Sequence, residues 1–443
     1  MIMKNNICTL VMAILLFQLE VFSQNNVITL NQAVTEALKT QPQLKASGYN
    51  IKSLEKQIDI VGYDNLPQLG IGLNVSQWKW LMPNKVKLLG DNLTDIYTEL
   101  RANQLIYNGG KVSLQSDLAE NSVRYEKLNY SALEQRVVLN VSKAYFEVLK
   151  AKRVSSIYKN TLEQLKDHLK TADALYNIGK ASNLDVVKAK VQIALIEEEI
   201  KKADNNLRSQ VYALNNAIGW ETDKQIVIEY ATETLFAGTA NDSYSAPELL
   251  NEMFSSNPEF KKVQLDYEAK NQEMNLNNAD YYPSLYAFGS MNWEDSKMRI
   301  PLSNYNWNVG VLLSYNIPFL QGGKFKEKNQ QLEIKKDVIQ ANEESLKKKY
   351  ELTLKTILLK LDDLKSRISS SKHIVDLASE SQKTAELKYN IGSGSSLDVI
   401  DAVQILTTAQ IDFSQNMIDF LSTLSDLQNI VGRNGSAFSA VSN

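Results

Sequence analysis

The stretch YNIGKASNLDV, residues 176–186, returns as YNIGSGSSLDV, residues 389–399, after 213 positions. The same shift places Gly109-Gly110-Lys111 on Gly322-Gly323-Lys324, and the prolines further upstream keep nearly the same spacing. Landmarks held in register over so long a distance indicate two tandem copies of one structural unit.

The repeat divides the chain into consecutive segments. The segments are a signal peptide at 1–23, a first copy at 24–219, a linker at 220–243, a second copy at 244–432 and a tail at 433–443. The first 23 residues have the layout of a secretory signal: Lys4 supplies a basic start, the run 7–17 is apolar, and Val21-Phe22-Ser23 form the expected cleavage site. We therefore expect the chain to be exported.

Composition argues against several classes of function. The single cysteine, Cys8, lies within the signal, so the mature chain has no thiol for a disulfide, for catalysis or for a metal site. The formal net charge is −3, with acids and bases interspersed, which gives no indication of nucleic-acid binding.

Glycine and proline placement predicts very long helices, because both residues interrupt helices. Neither occurs in 111–178 or in 324–391. A helix of that length would extend roughly 100 Å at 1.5 Å per residue. The helices are predicted over about 110–178 and 182–218 in the first copy and about 323–391 and 395–431 in the second.

The shorter helix of each copy carries a coiled-coil-like apolar seam, with spacings of three and four residues. The seams are Ile193, Ile196, Ile200, Ala203, Leu207, Val211, Leu214 and Ile218, and Val403, Leu406, Ala409, Phe413, Met417, Phe420, Leu424, Leu427 and Val431. Each copy therefore offers a long antiparallel helical hairpin. A periplasmic coiled-coil scaffold with no transport role would show the same pattern.

The segment before each long helix argues against a purely helical protein. Apolar and polar residues alternate over 69–76 and over 307–317, which is typical of strands with one apolar face. Partner strands are expected at about 97–107 and 283–293. Each copy then contains one strand hairpin, at about 67–107 and about 283–317.

Four of the five tryptophans lie near the loop ends of these strands, and two tyrosines accompany them. The residues are Trp78, Trp80, Trp293 and Trp307, with Tyr97 and Tyr305. An aromatic girdle at a membrane interface is one interpretation. Cross-strand aromatic pairing is the other.

Strand length and number predict a shared barrel. A strand of about eleven residues tilted by roughly 45° spans about 25 Å, the height of the apolar band of an outer-membrane barrel. Four strands do not close a barrel, since the smallest have about eight. A dimer would supply eight strands and a trimer twelve. We favour the trimer, because its twelve long helices would continue the wall beneath twelve strands.

The remaining segments are expected beside the helices as a small mixed collar. They include the short helices 30–38 and 247–255, each followed by a second helical stretch, and a short strand at 225–230.

The duplicated Y-x-x-G-x-x-x-x-L-D-V turn, the strand pair before each long helix and the signal peptide together resemble the TolC family of outer-membrane efflux channels. The resemblance implies a homotrimer in the outer membrane, with a twelve-stranded barrel and a helical tunnel crossing the periplasm. It implies two partners, a periplasmic adaptor and an inner-membrane pump or ABC exporter. Small molecules or drugs are the expected cargo, and protein export is the alternative.

The resemblance also implies a gate formed by aspartates near the start of the last long helix, which match Asp398 and Asp401. Capping explains Asp398 as well, because it follows Ser395 in the spacing of a capping box. The repeat partner of Asp401 is Lys188, so the paired carboxylates exist only in the second copy. Three-fold symmetry would place six carboxylates around one axis, which would concentrate cations.

Further family positions match this chain in part. Tyr389 matches a tyrosine that latches the gate, whereas Gly394 stands where the family has a latching arginine. The turn glycines, with one leucine beyond each, match the region where adaptors dock; helix C-capping is a second explanation for the glycines. These residues are Gly179, Gly392, Leu184 and Leu397.

The sequence shows no enzyme signature, and we expect neither a cofactor nor a metal. His168 and His373 lie inside predicted helices without partner motifs, where solvated positions are expected. The Gly-Gly-Lys sites lack the rest of the P-loop pattern, because Val112 and Phe325 stand where Ser or Thr is needed. We interpret them as strand-to-helix corners.

Overall fold

A computed structural model of the chain describes residues 27–79, 92–228, 244–295, 305–315, 317 and 322–433. The predicted signal peptide, the tail beyond Arg433, the loops around Pro83 and Pro301 and most of the linker lie outside the described residues.

The chain divides into two compact units. Residues up to 45, 131–257 and from 347 onward form a helical unit, and residues 46–130 and 258–346 form a sheet unit.

Four long helices of matched length run through the two copies. The helices are α3 (Lys111–Asn177) and α4 (Asn183–Ile218) in the first copy, and α7 (Lys324–Asn390) and α8 (Ser396–Val431) in the second. The structure thus confirms the predicted hairpins, with each long helix ending one residue before the end of its glycine- and proline-free run. Within the described residues no helix combines the length and the apolar character needed to cross a membrane.

The predicted seams pack in the helical unit. In α4 the buried seam residues include Ile196, Ala203, Leu214 and Ile218, and in α8 nearly the whole seam from Val403 to Val431 is buried. Burying each large aliphatic side chain contributes about 1.5–3 kcal/mol, so the α8 seam is a main source of stability for this unit.

Short helices precede the strands in both copies. They are α1 (Leu30–Thr40) and α2 (Pro42–Tyr63), then α5 (Ala246–Ser256) and α6 (Pro258–Ala279). Two short strands of two residues each, β1 (Val27–Ile28) and β4 (Val227–Ile228), form a parallel sheet. The predicted strand at 225–230 therefore exists only as β4 within the described residues.

The C-terminal ends of α4 and α8 are stabilised in the same way, by a glycine cap and a side-chain hydrogen bond from a neighbouring segment. Gly219 and Gly432 each end their helix with φ near 87°, in the left-handed region. The Gln41 side chain donates to the Ala217 carbonyl at 2.8 Å, and the Asn257 side chain donates to the Ile430 carbonyl at 2.9 Å. These bonds satisfy carbonyl groups that a helix end leaves without partners.

The sheet unit contains one antiparallel sheet in which the strand order is β2-β3-β5-β6. The strands are β2 (Gln68–Lys79), β3 (Asn92–Tyr107), β5 (Ser284–Asp295) and β6 (Tyr305–Ser314). The hairpins of the two copies join where β3 pairs with β5. β3 begins earlier than predicted, and β6 ends before the predicted limit at Ile317.

The register places apolar residues in rows on one face of this sheet. One row joins Ile71, Leu100, Met291 and Trp307 across all four strands. These side chains are exposed in the single chain, Ile71 at 82% and Trp307 at 68%. The opposite face carries polar groups, among them the Glu99–Arg101 ion pair at 2.8 Å and the bond from Ser290 Oγ to Asn308 Oδ1 at 2.9 Å.

Replacing Gly432 with alanine should destabilise the helical unit. A Cβ at this position would lie 3.1 Å from the Asn257 backbone, and φ of +88° is unfavourable for alanine. We expect a loss of at least about 1 kcal/mol, measured by thermal unfolding of the detergent-solubilised protein. Gly48→Ala is the control, since Gly48 lies in a helix with open space around its Cβ position. Equal stability of the two variants would contradict this account of Gly432.

Candidate gate at the turns of the helical hairpins

Two turns close the helical hairpins in the helical unit. The first turn, residues 178–182, joins α3 to α4, and the second turn, residues 391–395, joins α7 to α8. Each turn contains a glycine with positive φ, Gly179 or Gly392, and open space surrounds the Cβ position of both. The turns therefore present accessible backbone at the ends of the hairpins.

Asp398 forms the capping box predicted for the start of α8. The Ser395 backbone N–H donates to Asp398 Oδ2 at 3.0 Å, and the Asp398 backbone N–H donates to Ser395 Oγ at 3.1 Å. Hydrogen bonding from the Ser395 backbone, aided by its side chain, lowers the pKa of Asp398. The carboxylate is exposed, so it caps the helix and also presents its charge to solvent.

Asp401 lies one helical turn further along α8 and is also exposed. Within the described part of the chain its carboxylate makes no hydrogen bond and no ion pair. Its repeat partner Lys188 is half-buried on α4. The start of α8 therefore carries a pair of exposed carboxylates. The corresponding positions of the first copy hold one acid, Asp185, and one base, Lys188.

Asp185 repeats the capping box in the first turn. The Ser182 backbone N–H donates to Asp185 Oδ2 at 3.0 Å, and the Asp185 backbone N–H donates to Ser182 Oγ at 3.2 Å. Unlike Asp398, Asp185 is half-buried. Its charge acts on two residues of other helices, His168 and Tyr389.

Tyr389 is buried, with 4% of its surface exposed, in a cluster that includes Leu165, Val186 and Val399. Its repeat partner Tyr176 is 46% exposed, so only the second tyrosine is packed inside. Burial raises the pKa of Tyr389, and the Asp185 carboxylate adds to the rise.

The Tyr389 hydroxyl has no hydrogen-bond partner of good geometry among the residues described. The Ser396 hydroxyl nevertheless lies near enough to oppose part of the rise in the pKa of Tyr389. A buried hydroxyl without a partner is costly, so the packing of Tyr389 is stabilised by its ring and not by its hydroxyl.

The expected solvated position of His168 is wrong. His168 is 6% exposed, its Nε2 lies 2.8 Å from Ser396 Oγ, and its ring lies 4.9 Å from the Tyr389 ring. Burial lowers the pKa of His168, and the nearby Asp185 carboxylate opposes this shift. The spacing of three residues from Leu165 and four from Ala172, both buried, could have predicted this burial. His373 is exposed, as predicted.

Apolar side chains surround both turns on the exposed side. Leu184 and Leu397, singled out from the sequence, are both exposed. Sequence reasoning missed Ile178 and Ile391, which are more exposed still, at 65% and 79%. The signal was available, because each isoleucine directly precedes the glycine of its turn. The apolar side chains and the accessible glycines make each turn a candidate docking surface.

The tryptophans are only partly placed by the structure. Trp293 pairs with Tyr305, and Trp307 lies on the same apolar face of the sheet. Trp80 and the side chain of Trp78 lie outside the described residues. Tyr97 does not belong to the set, because the strand alternation places it on the polar face, opposite Asn74. The aromatic girdle therefore stays a prediction, and the Trp293–Tyr305 pair also agrees with the alternative, cross-strand aromatic pairing.

The described residues contain no group of three or more histidine, cysteine, aspartate or glutamate side chains arranged to hold a metal ion.

Comparison with known proteins extends over most of the chain. A family model described as outer membrane efflux protein matches residues 33–220 and again residues 249–433, one match in each copy of the repeat. Outer membrane protein TolC of Escherichia coli (strain K12) is 23% identical over 420 residues, which cover 91% of this chain and 82% of that protein. The protein of the same name from Vibrio cholerae serotype O1 is 23% identical over 324 residues, covering 71% of this chain and 72% of that protein.

The fold also matches solved structures. The structure of CusC, described in the context of transmembrane channel formation, superimposes with a TM-score of 0.74 at 17% identity. The match covers 93% of this chain and 95% of that one. The likeness establishes the fold of the chain, which combines long helical hairpins with a four-stranded antiparallel sheet.

Proposed function

Since the chain belongs to the outer membrane efflux protein family, we propose that it forms the outer-membrane channel of a tripartite efflux system. The cargo in this proposal is small molecules or drugs, passed outward from an inner-membrane pump through a periplasmic adaptor. The observation that carries the proposal is the family match in both copies of the repeat.

The sheet unit supports a membrane location. Its apolar face exposes many large side chains, including the row Ile71, Leu100, Met291 and Trp307, which is costly in water and favourable in lipid. Its other face is polar, as expected for the wall of an aqueous passage. The strands β2 and β6 have free edges within the described sheet, so closure needs strands from other copies. A homotrimer supplies twelve strands and closes the barrel.

The second turn supports the position of the gate. In a trimer Asp398 and Asp401 would supply six carboxylates near the axis, and Asp401 is free of competing bonds within the described residues. Tyr389 and its cluster hold the start of α8 against α3. This gate would attract cations and repel anions.

The turns themselves support adaptor docking. Gly179 and Gly392 leave the backbone accessible, and Leu184 and Leu397 add exposed apolar surface beside them. A helical hairpin of an adaptor can pack its tip on such a surface.

The particle mass tests the proposal directly. The mature protein extracted from outer membranes should require detergent and should contain three chains, measured by light scattering that counts protein and detergent separately. The same particle should conduct ions in planar bilayers. A detergent-free monomer or dimer would instead support the periplasmic scaffold.

Charged substitutions on the apolar face should impair assembly. Ile71→Arg and Val311→Arg each place a charge toward lipid, at a cost of about 2–4 kcal/mol near the bilayer midplane. We expect less trimer in the outer membrane, measured on unboiled gels. Asn74→Arg on the polar face is the matched control and should assemble normally. Normal assembly of all three variants would refute the assignment of the lipid face.

Removing the paired carboxylates should weaken block by multivalent cations. For the double variant Asp398→Asn with Asp401→Asn, we expect the half-blocking concentration of a trivalent cation to rise at least about ten-fold, equivalent to about 1.4 kcal/mol. Asp412→Asn, at another exposed position on α8, is the control. Unchanged block in planar bilayers would exclude Asp398 and Asp401 from the gate.

A further inference from the structure

Polar side-chain contacts link α3 to α8 along the helical unit, and four of them lie among the residues that the structure describes. Three of them are the Lys143–Asp426 ion pair at 2.6 Å, the Lys150–Asp419 ion pair at 3.1 Å and the Thr161–Thr407 hydrogen bond at 2.8 Å. The fourth, His168 to Ser396 at 2.8 Å, lies nearest the second turn. Among these groups only the imidazole has an ordinary pKa close to physiological pH.

The surroundings of His168 contain few groups that could stabilise a positive charge. From α7 it faces the Tyr389 ring, from α8 the Ser396 hydroxyl, and from α4 the Asp185 carboxylate. Asp185 is engaged in its own capping box with Ser182. Ser396 is the first residue of α8, and the positive end of that helix dipole also disfavours a cation.

We propose that the contact between His168 and Ser396 is the latch that holds α8 against α3 in the closed gate, and that protonation of His168 releases it. This inference rests on the proposed channel function. The latch is then a side chain of α3. The second turn itself has Gly394 at the position where the family has a latching arginine.

The neutral and charged forms of His168 differ in how well this site accommodates them. A neutral imidazole shares one hydrogen bond with the Ser396 hydroxyl and packs on the Tyr389 ring. An imidazolium would bring a charge into a site that is buried among apolar side chains, with one half-buried carboxylate nearby. Burying a charge that is poorly paired is costly, so the protonated state favours separation of α8 from α3.

The direction of the pH dependence follows from linkage. In an open gate His168 is hydrated and titrates near pH 6.5, whereas burial lowers its pKa in the closed gate. The closed gate is therefore favoured above pH 6.5. As the pH falls below 6.5, the open-to-closed ratio should rise by at most about ten-fold per pH unit and per latch, until the closed-state pKa is reached.

Bilayer conductance of the full-length mature trimer at pH 7.5 and pH 5.5 tests the latch. The natural protein should show a several-fold higher open fraction at pH 5.5. His168→Gln keeps a hydrogen-bonding side chain but does not titrate, so its open fraction should be nearly independent of pH over this range. His373→Gln is the matched control, because His373 is the other histidine of the chain and is exposed. It should behave like the natural protein.

A second variant separates the latch from a general packing defect. Ser396→Ala keeps the histidine and removes its partner, so it should raise the open fraction at pH 7.5. Hydrogen exchange of residues 389–401, corrected for the intrinsic effect of pH, should increase on acidification in the natural protein and not in His168→Gln.

The outcomes distinguish the two proposals. An identical pH response of the natural protein and His168→Gln, in trimers that conduct, overturns the latch and leaves the channel function standing. Absence of conductance in all four proteins overturns the channel function, and the latch with it.

Discussion

The constraint on which the rest of the structure depends is that the four-stranded sheet is incomplete by itself. Its outer strands β2 and β6 have free edges within the described sheet, and its apolar face is uncovered. Backbone groups in a membrane need hydrogen-bond partners, and apolar rows need a nonaqueous surrounding. In the trimer proposed above, association of chains around a closed barrel would satisfy both requirements at once. Each chain would then supply two adjacent hairpins, joined through β3 and β5, to the shared wall.

Duplication gave the two halves one architecture and left them different at the turns. Tyr389 is buried where Tyr176 is exposed, and Asp401 is acidic where Lys188 is basic. These differences lie on either side of the second turn, at the end of α7 and the start of α8, and α8 is the helix with the more completely buried seam. A buried seam fixes the orientation of α8, so the side chains of its first two turns project in defined directions. The first hairpin serves as the surface against which this helix packs.

The stability of the second turn and its charge come from different residues. Asp398 Oδ2 accepts the capping bond from the Ser395 backbone N–H, whereas Asp401 makes no bond among the described residues. The start of α8 is held further by the packing of Tyr389 and by the hydrogen bond between His168 and Ser396. In the proposed gate, closure could therefore change without loss of the cap that maintains the helix.

The sequence by itself determined the repeat, which is visible by comparing the chain with itself. It also determined the four strands of the sheet, the long hairpins and the capping boxes of α4 and α8, because periodicity, helix-breaking residues and cap spacing act over a few neighbouring residues. The same local rules misplaced His168, which was expected in solvent, and Tyr97, which was assigned to the wrong set of aromatics. Only the tertiary structure decided these positions. Burial of His168 depends on Ser396, more than 200 residues away along the chain, and the face of Tyr97 depends on strand register. Both depend on which elements pack together. The spacing of His168 from Leu165 and Ala172 could indicate a buried helix face, but it could not identify Ser396, 228 residues away, as the partner.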